Sequence, residues 1–251
     1  MKNNISFIVY SHSSYSDLWE AFFDRAAKHV DCEFEKYYLF ADSVPEEMKE
    51  IVPSHFEVVT YEDNESYTER LSKCLSQIET DYCLFHHEDM ILCGDAKMDT
   101  LNEYFTLMNT ENIDFIKLLK GGAPQDTAAD TSHYKCESLR VILSSFQYII
   151  AIQPSIWRKK TFLEIVNHHQ GMNIWDFETK AQEFCRLRNY KCFYSFVGDE
   201  RKRGNYHWDS SIYPVISTAV FKGKWTTTEY YPELKAVFDT YKINPDIRGV
   251  C

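Results

Sequence analysis

The chain has 251 residues, 44% of them hydrophobic, with 38 acidic against 27 basic side chains and a formal net charge of −11. That balance argues against a nucleic-acid groove, which needs clustered Lys and Arg to displace counterions from phosphate. The short basic runs Arg158-Lys159-Lys160 and Arg201-Lys202-Arg203 read instead as solvated surface. The length suits one compact α/β unit with its own core, and no run approaches the roughly 20 apolar residues of a membrane helix.

The segment Met1 to Tyr10 passes straight into strand-like sequence, with no charged n-region and apolar h-region ahead of a cleavage site, which speaks against secretion. Eight cysteines are scattered without a C-x-x-C pair and read as reduced thiols, so a cytoplasmic protein is expected.

In chain order, Ile5 to Tyr10 is a β-rich run, and Ser16 or Asp17 caps a helix carrying Leu18, Phe22, Phe23, Ala26 and Ala27. Tyr37 to Ala41 is a second strand ending at Asp42, a short helix follows Pro45, and Phe56 to Tyr61 is a third strand. Ser66 precedes a helix whose Leu71, Cys74, Leu75 and Ile78 share one face, leading into a strand from Tyr82 to Phe85. Near-continuous apolar strands alternating with helices predict an α/β fold with a mixed, mostly parallel central sheet covered on both faces. Ligands of such sheets bind beyond the carboxyl ends of the strands.

Beyond that come a predicted helix over Met98 to Met108 and a strand over Ile113 to Leu119. The polar stretch Gly121 to Ser138 reads as a long loop. Val141 to Ile152 is strand-like, Trp157 to Val166 and Ile174 to Arg188 are helix-like, and Cys192 to Val197 is a strand. Tyr213 to Lys224 leads into a last helix at about Pro232 to Tyr241.

The chemistry concentrates at His86-His87-Glu88-Asp89, directly after the fourth apolar strand. A hard divalent cation bridging phosphates takes carboxylate oxygens and keeps positions open for phosphate and water, so either Glu88 or Asp89 can be the direct ligand. Taken alone, the pair is also what a solvent-facing acidic turn looks like.

The opening strand Ile5 to Tyr10, Asp42 after the second strand, the helix starting Ser66-Tyr67 with Arg70-Leu71, and the strand leading to Asp89 together resemble the nucleotide half of GT-A fold glycosyltransferases. The resemblance implies a single Rossmann-like GT-A catalytic domain. In it residues 1–92 bind a nucleotide sugar, 93–225 form the acceptor side, and 226–251 make a C-terminal helix and tail. It implies Mn²⁺ or Mg²⁺ held by Asp89 and Glu88, although a strict Asp-x-Asp is replaced here by His87-Glu88-Asp89. It further implies that Ser11 and His12 meet base or ribose, that Asp42 binds a base or ribose hydroxyl, and that Arg70 offers its guanidinium to donor oxygens.

Trp175-Asp176-Phe177-Glu178 lies where inverting members carry a general base, with aromatic flanks that desolvate a carboxylate; Asp176 can equally cap the following helix. By the same resemblance Trp157 and Trp175 line the acceptor side, His207 is a late metal ligand, and Lys222 and Lys224, flanking Gly223, grip the diphosphate. The expected activity is metal-assisted transfer of a sugar from a nucleoside-diphosphate donor to a hydroxyl acceptor, with a glycan as the expected acceptor and inversion favoured. Two rivals stand beside it. One is a non-catalytic glycan-binding or scaffold protein on a degenerate version of the fold. The other is a sugar nucleotidyltransferase, disfavoured because Tyr10 to Tyr15 lacks the glycine-rich basic loop of that class.

Overall fold

The computed structural model describes residues 4–251; Met1, Lys2 and Asn3, where the leader reading begins, lie outside the described residues. The first strand, β1 (Ile5–Tyr10), is buried along its whole length, and its side chains alternate between two cores. Ile5, Phe7 and Val9 enter one core, whereas Ile8 and Tyr10 enter the other, as the two-residue period of a strand requires. A 3-10 turn over Ser13–Leu18 then leads into α1 (Trp19–His29), which lays Trp19, Phe22 and Phe23 on the first core. The sheet grows outward through β2 (Lys36–Ala41) and β3 (Phe56–Thr60).

Helix α2 (Tyr67–Gln77) opens on a capping box between Ser66 and Glu69 and buries Leu71, Cys74 and Leu75 against the second core. It returns the chain to β4 (Tyr82–His87), which runs two residues further than the apolar pattern suggests and takes in both histidines. Strands β3, β2, β1 and β4 are parallel and adjacent in that order.

The second half of the chain continues the same sheet. After α3 (Met98–Thr110) come β5 (Phe115–Lys117), α4 (Pro124–Ala128), β6 (His133–Tyr134) and β7 (Cys136–Val141). The predicted loop Gly121 to Ser138 therefore holds a short helix and the beginning of a hairpin. The predicted strand Val141 to Ile152 is instead irregular chain beyond β7. Strand β8 (Ser155–Arg158) takes up what the sequence predicts as the start of a helix; it runs antiparallel between β4 and β5 and joins the two halves. Helices α5 (Lys159–His168) and α6 (Ile174–Arg188) then cover the second core, and β9 (Cys192–Ser195) pairs with β5 and β7.

The resulting nine-stranded sheet has the order β3-β2-β1-β4-β8-β5-β9-β7-β6. It is mixed, mostly parallel, and packed by helices on both faces. Two hairpins follow, β10 (Lys202–Arg203) with β11 (His207–Trp208) and β12 (Val220–Phe221) with β13 (Lys224–Trp225). The turn of the second, Lys222-Gly223, has both residues at positive φ (50° and 78°), the two-residue geometry that matches strand twist. A third core of Leu18, Ile91, Ile216, Trp225 and Phe238 binds α7 (Tyr231–Tyr241) to the body, and the short α8 (Pro245–Arg248) follows it, tied down by the Arg248 pairing with Asp17. No helix among the described residues is long and apolar enough to cross a membrane, and all eight cysteines are free.

Trp157 corrects an expectation. It is fully buried on β8, its ring 4.1 Å from Phe115 and stacked 4.2 Å from Phe162, with Nε1 donating to Ser155 Oγ at 2.8 Å. It is a core residue and cannot meet an acceptor. Trp157→Ala should therefore cost about 3–5 kcal/mol in urea unfolding, whereas Trp175→Ala, at a position 56% exposed, should stay within about 0.5 kcal/mol.

Candidate functional site

Because β1 and β4 pair in parallel from Ile5↔Tyr82 to Tyr10↔His87, both strands end at one level. Their following residues, Ser11-His12 and Glu88-Asp89, emerge side by side at the carboxyl edge of the sheet. A cleft of about 620 Å³ opens there. Its floor is the end of β1 and β4, one wall is Ile152, Gln153 and the start of α6, and the other is the two hairpins with Tyr206, His207 and Lys222.

The two histidines of β4 point to opposite faces. His86 is fully buried, bonded through Nε2 to the Tyr213 hydroxyl at 2.6 Å, and burial drives its pKa down to about 3; it supports the floor from below. His87 faces the cleft and stacks on Tyr10 at 5.2 Å. Tyr10 in turn stacks on Tyr61 at 5.4 Å and 9°, and the Arg70 guanidinium lies 5.1 Å from the Tyr61 ring centroid. This ladder of rings gives the floor of the cleft a rigid base.

Glu88 is 6% exposed, and its Oε2 is buried without a hydrogen-bond partner. Burial raises its pKa well above the carboxylate range, and the neighbouring Asp89 adds to the effect. Burial also pushes Asp89 up to about 7, against the opposing pull of the Val220 N–H, 3.4 Å from Oδ2, and of Arg248. A buried and a half-buried carboxyl side by side, with an unsatisfied oxygen and a deficit of positive charge, are what a cation would complete. They supply oxygen donors only, which fits a hard divalent ion that takes its remaining ligands from phosphate and water.

His207 lines the cleft, but its Nε2 lies 3.0 Å from Glu229 Oε2, and its ring stacks on Tyr230 at 5.7 Å and 10°. Among the described residues no three His, Cys, Asp or Glu side chains are grouped to hold a metal, so His207 does not complete a set with Glu88 and Asp89. The Glu229 carboxylate occupies the space beside Gly204 (φ +53°), where a Cβ would fall 1.8 Å from Oε1. The carboxylate thus reaches His207 only because residue 204 has no side chain.

The other expected residues divide between lining and bracing. Ser11, His12, Lys222 and Trp175 line the cleft. Asp42 lies behind it, accepting the Ser13 N–H at 2.6 Å and hydroxyl at 2.7 Å. Burial works to raise its pKa, but these bonds, the Ser43 hydroxyl and His12 hold it below the usual carboxylate range. Arg70 is engaged with Asp63 at 2.9 Å, and that same carboxylate is 3.0 Å from His12 Nε2, so Arg70 orients His12 from outside the cleft. Lys224 pairs across the hairpin from Phe221 and does not line the cleft.

Glu178 and Asp176 separate cleanly. Asp176 is exposed and closes the N-terminus of α6, its N–H received by Asn173 Oδ1 at 2.9 Å and its Oδ2 accepting from Asn173 Nδ2 at 3.0 Å. Glu178, two residues on, lines the cleft and accepts the Ile152 N–H at 2.6 Å. Burial raises its pKa, opposed by that N–H and by the buried Lys117 beneath it. Lys117 is not among the residues that the sequence reading brings forward; burial lowers its pKa to about 8. The signal for it is a lone Lys inside the apolar run Ile113 to Leu119.

Arg248, in the last helix, belongs to no motif that would point to it. Its guanidinium pairs with Asp17, donates to Ser14 O at 3.1 Å, and stacks 4.6 Å over Tyr15. It links the turn after β1 to the chain's last helix.

The architecture is an α/β fold with a mixed central sheet, helices on both faces and a cleft at the carboxyl edge of its parallel strands. No protein-family model matches the sequence, and no curated protein matches it. Among solved structures the chain is similar to S. aureus TarS 1–349 in complex with UDP-GlcNAc, with 16% identity and a TM-score of 0.52 over 98% of this chain and 68% of that one. The bifunctional IspDF from Campylobacter jejuni is 14% identical with a TM-score of 0.45 over 78% of this chain and 50% of that one. The chain thus spans half to about two thirds of the proteins it matches, and the likeness is one of fold.

The raised pKa of Asp89 fixes the sign of a pH effect. An unfolded Asp ionises near ~3.9, the folded one near 7, so the folded state is penalised increasingly between those values and fully above 7. In metal-free buffer Asp89→Asn should raise the melting temperature by a few degrees at pH 8, an advantage that shrinks as the pH falls toward 4. Equal or lower stability of the Asp89→Asn variant at pH 8 would contradict the buried, uncompensated pair.

Proposed function

We propose that the protein is a glycosyltransferase that moves a sugar from a nucleoside-diphosphate donor to a hydroxyl acceptor, assisted by a divalent cation. The observation that carries this reading is the unsatisfied Glu88 carboxylate beside Asp89 on the cleft floor, with the separate, half-buried carboxyl of Glu178 on the wall. The shared fold adds support, since S. aureus TarS 1–349 holds UDP-GlcNAc in its solved complex.

Glu88 and Asp89 would hold Mn²⁺ or Mg²⁺, which when bound neutralises charge building on a departing diphosphate. Ser11 and His12 line the donor side, braced by Asp42 and Arg70, and Lys222 adds a point charge from the hairpin tip. Glu178 acts as general base. It takes the proton of the acceptor hydroxyl as that oxygen bonds to the anomeric carbon, and the bond from that carbon to the phosphate oxygen breaks with its electron pair going to the nucleoside diphosphate. Burial suits Glu178 to this role by raising its proton affinity toward the working pH. One base and a direct displacement correspond to inversion.

Thermal shift with UDP-, GDP- and dTDP-sugars, with and without Mn²⁺ or Mg²⁺, tests the reading. At least one donor should stabilise the chain in a cation-dependent way and be slowly hydrolysed; no shift with any of the three would defeat it. Asp89→Asn should abolish the cation-dependent shift. Glu178→Gln should keep that shift and lower turnover by about 100-fold or more. Full turnover in the Glu178→Gln variant would remove Glu178 as the base.

A further inference from the structure

We infer that the protein has a second binding site, toward the opposite end of the sheet from the cleft, which takes a small organic cation of the quaternary ammonium type. It is built from a cross-strand row of aromatic side chains beneath α1, and it stands whether or not the cleft transfers sugar.

The parallel register sets Phe7 opposite Tyr37 and Tyr37 opposite Phe56, so three adjacent strands present three rings in one row on one face of the sheet. Helix α1 faces this row with Phe23, Ala26, Ala27 and Val30, the i, i+3, i+4 and i+7 positions of a single helical face. Two of the four are alanines. Where longer side chains would have met the rings, a cavity of about 230 Å³ remains, bounded further by Phe34. An apolar cavity of about 150 Å³ already holds a benzene ring, and packed cores leave few voids of that size. The cavity shares no lining residue with the cleft.

The rings form walls instead of a flat stack. Phe7 meets Phe56 at 89°, Phe34 meets Tyr37 at 82° and Phe23 meets Phe56 at 71°, so ring faces as well as edges turn toward the space between them. Tyr37 and Phe56 are only half-buried, and Ala27 and His55 are exposed at the mouth, so the cavity opens to solvent. Elsewhere the chain covers its rings with its own cations, Arg203 over Tyr230, Lys120 over Phe196 and Arg248 over Tyr15. Among the described residues no Lys or Arg lies over the rings of this cavity. Free ring faces attract a cation, and a quaternary ammonium gains most, because it has no N–H to leave unpaired in an apolar site.

The surrounding charge has the matching sign. The loop between α1 and β2, which supplies Phe34, carries Asp31, Glu33 and Glu35, all exposed and none in an ion pair among the described residues. Burial raises the Tyr37 pKa and the Glu33 carboxylate adds to the effect, so that charge is felt at the ring. Lys36, which follows the loop, is drawn away to Glu57 and Glu79 at 4.0 and 3.7 Å, leaving three carboxylates against Lys28 at the end of α1.

The test is calorimetric titration of the full chain, at constant ionic strength, with choline and with 3,3-dimethylbutan-1-ol, its uncharged carbon counterpart. Choline should bind, and roughly fivefold or more tighter than the alcohol. Phe56→Leu, which keeps apolar bulk and removes one ring, should weaken choline by about fivefold and leave the alcohol unchanged. Ala27→Phe, at an exposed position whose new ring would enter the cavity, should abolish binding of both, with circular dichroism showing the variant folded. The comparison of the two ligands on the unaltered chain needs no variant. An alcohol that binds as tightly as choline, undiminished choline binding in folded Ala27→Phe or Phe56→Leu, or no choline binding at about 10 mM overturns the inference. None of these results bears on donor binding at the cleft, which its own titration decides.

Discussion

Parallel pairing of β1 with β4, Tyr10 opposite His87, forces both strands to stop at one level, and the rest of the site is arranged around that edge. Shifting the register by one residue would turn His86 toward the cleft and His87 into the packing of Phe7 and Phe22, since side chains alternate with a period of two. It would also move Glu88 and Asp89 away from Ser11 and His12. The register is held by burial on both faces, with Phe7, Val9 and Leu84 in one core and Ile8, Tyr10 and Phe85 in the other. A charged pair can be kept at such an edge because so much apolar surface specifies where the edge falls.

The charge of that pair is answered from far along the chain. Arg248 pulls down the proton affinity of both Glu88 and Asp89, yet its own hydrogen bonds go to Asp17, Ser14 and Gly223. Arg248 thus fastens the turn after β1 to the hairpin tip that carries Lys222 while leaving the carboxyls short of positive charge. A site neutralised by its own arginine would have little use for a cation. This one keeps an electrostatic deficit and an open oxygen, and the folded state bears the cost of both.

How much of this is legible in the sequence depends on what each residue's role requires. The strands Ile5–Tyr10 and Tyr82–His87 are legible because a strand buried on both faces needs a near-continuous apolar run. Strand β8 is not, because four residues between Pro154 and a helix carry no pattern, and their pairing with β4 and β5 is decided by distant chain. Trp157 and Trp175 look alike in sequence, and only packing separates a ring held between Phe115 and Phe162 from one left at a cleft mouth. Asp176 and Glu178 form one cluster in sequence, but on a helix two residues apart means roughly 200° of rotation, which sends one carboxylate to the cap and the other to the cleft. Tyr206, Glu229 and Arg248 lie in segments with no periodicity, so their roles follow from tertiary structure alone.

The two sides of the cleft are built by different means, and this bears on what each can change. The floor rests on the parallel strands and the stacked ladder of His87, Tyr10 and Tyr61, so altering a residue there disturbs the sheet itself. The rim of Trp175, Tyr206 and Phe221 stands on a helix start and two hairpin turns whose side chains are exposed, and substitution there leaves both main cores intact. Glu178 lies between them, its carboxyl held by the Ile152 N–H. A fixed floor with a replaceable rim separates what the sheet requires from what the mouth of the cleft can vary. The side chains at the mouth of this cleft are therefore ones that the two main cores do not need.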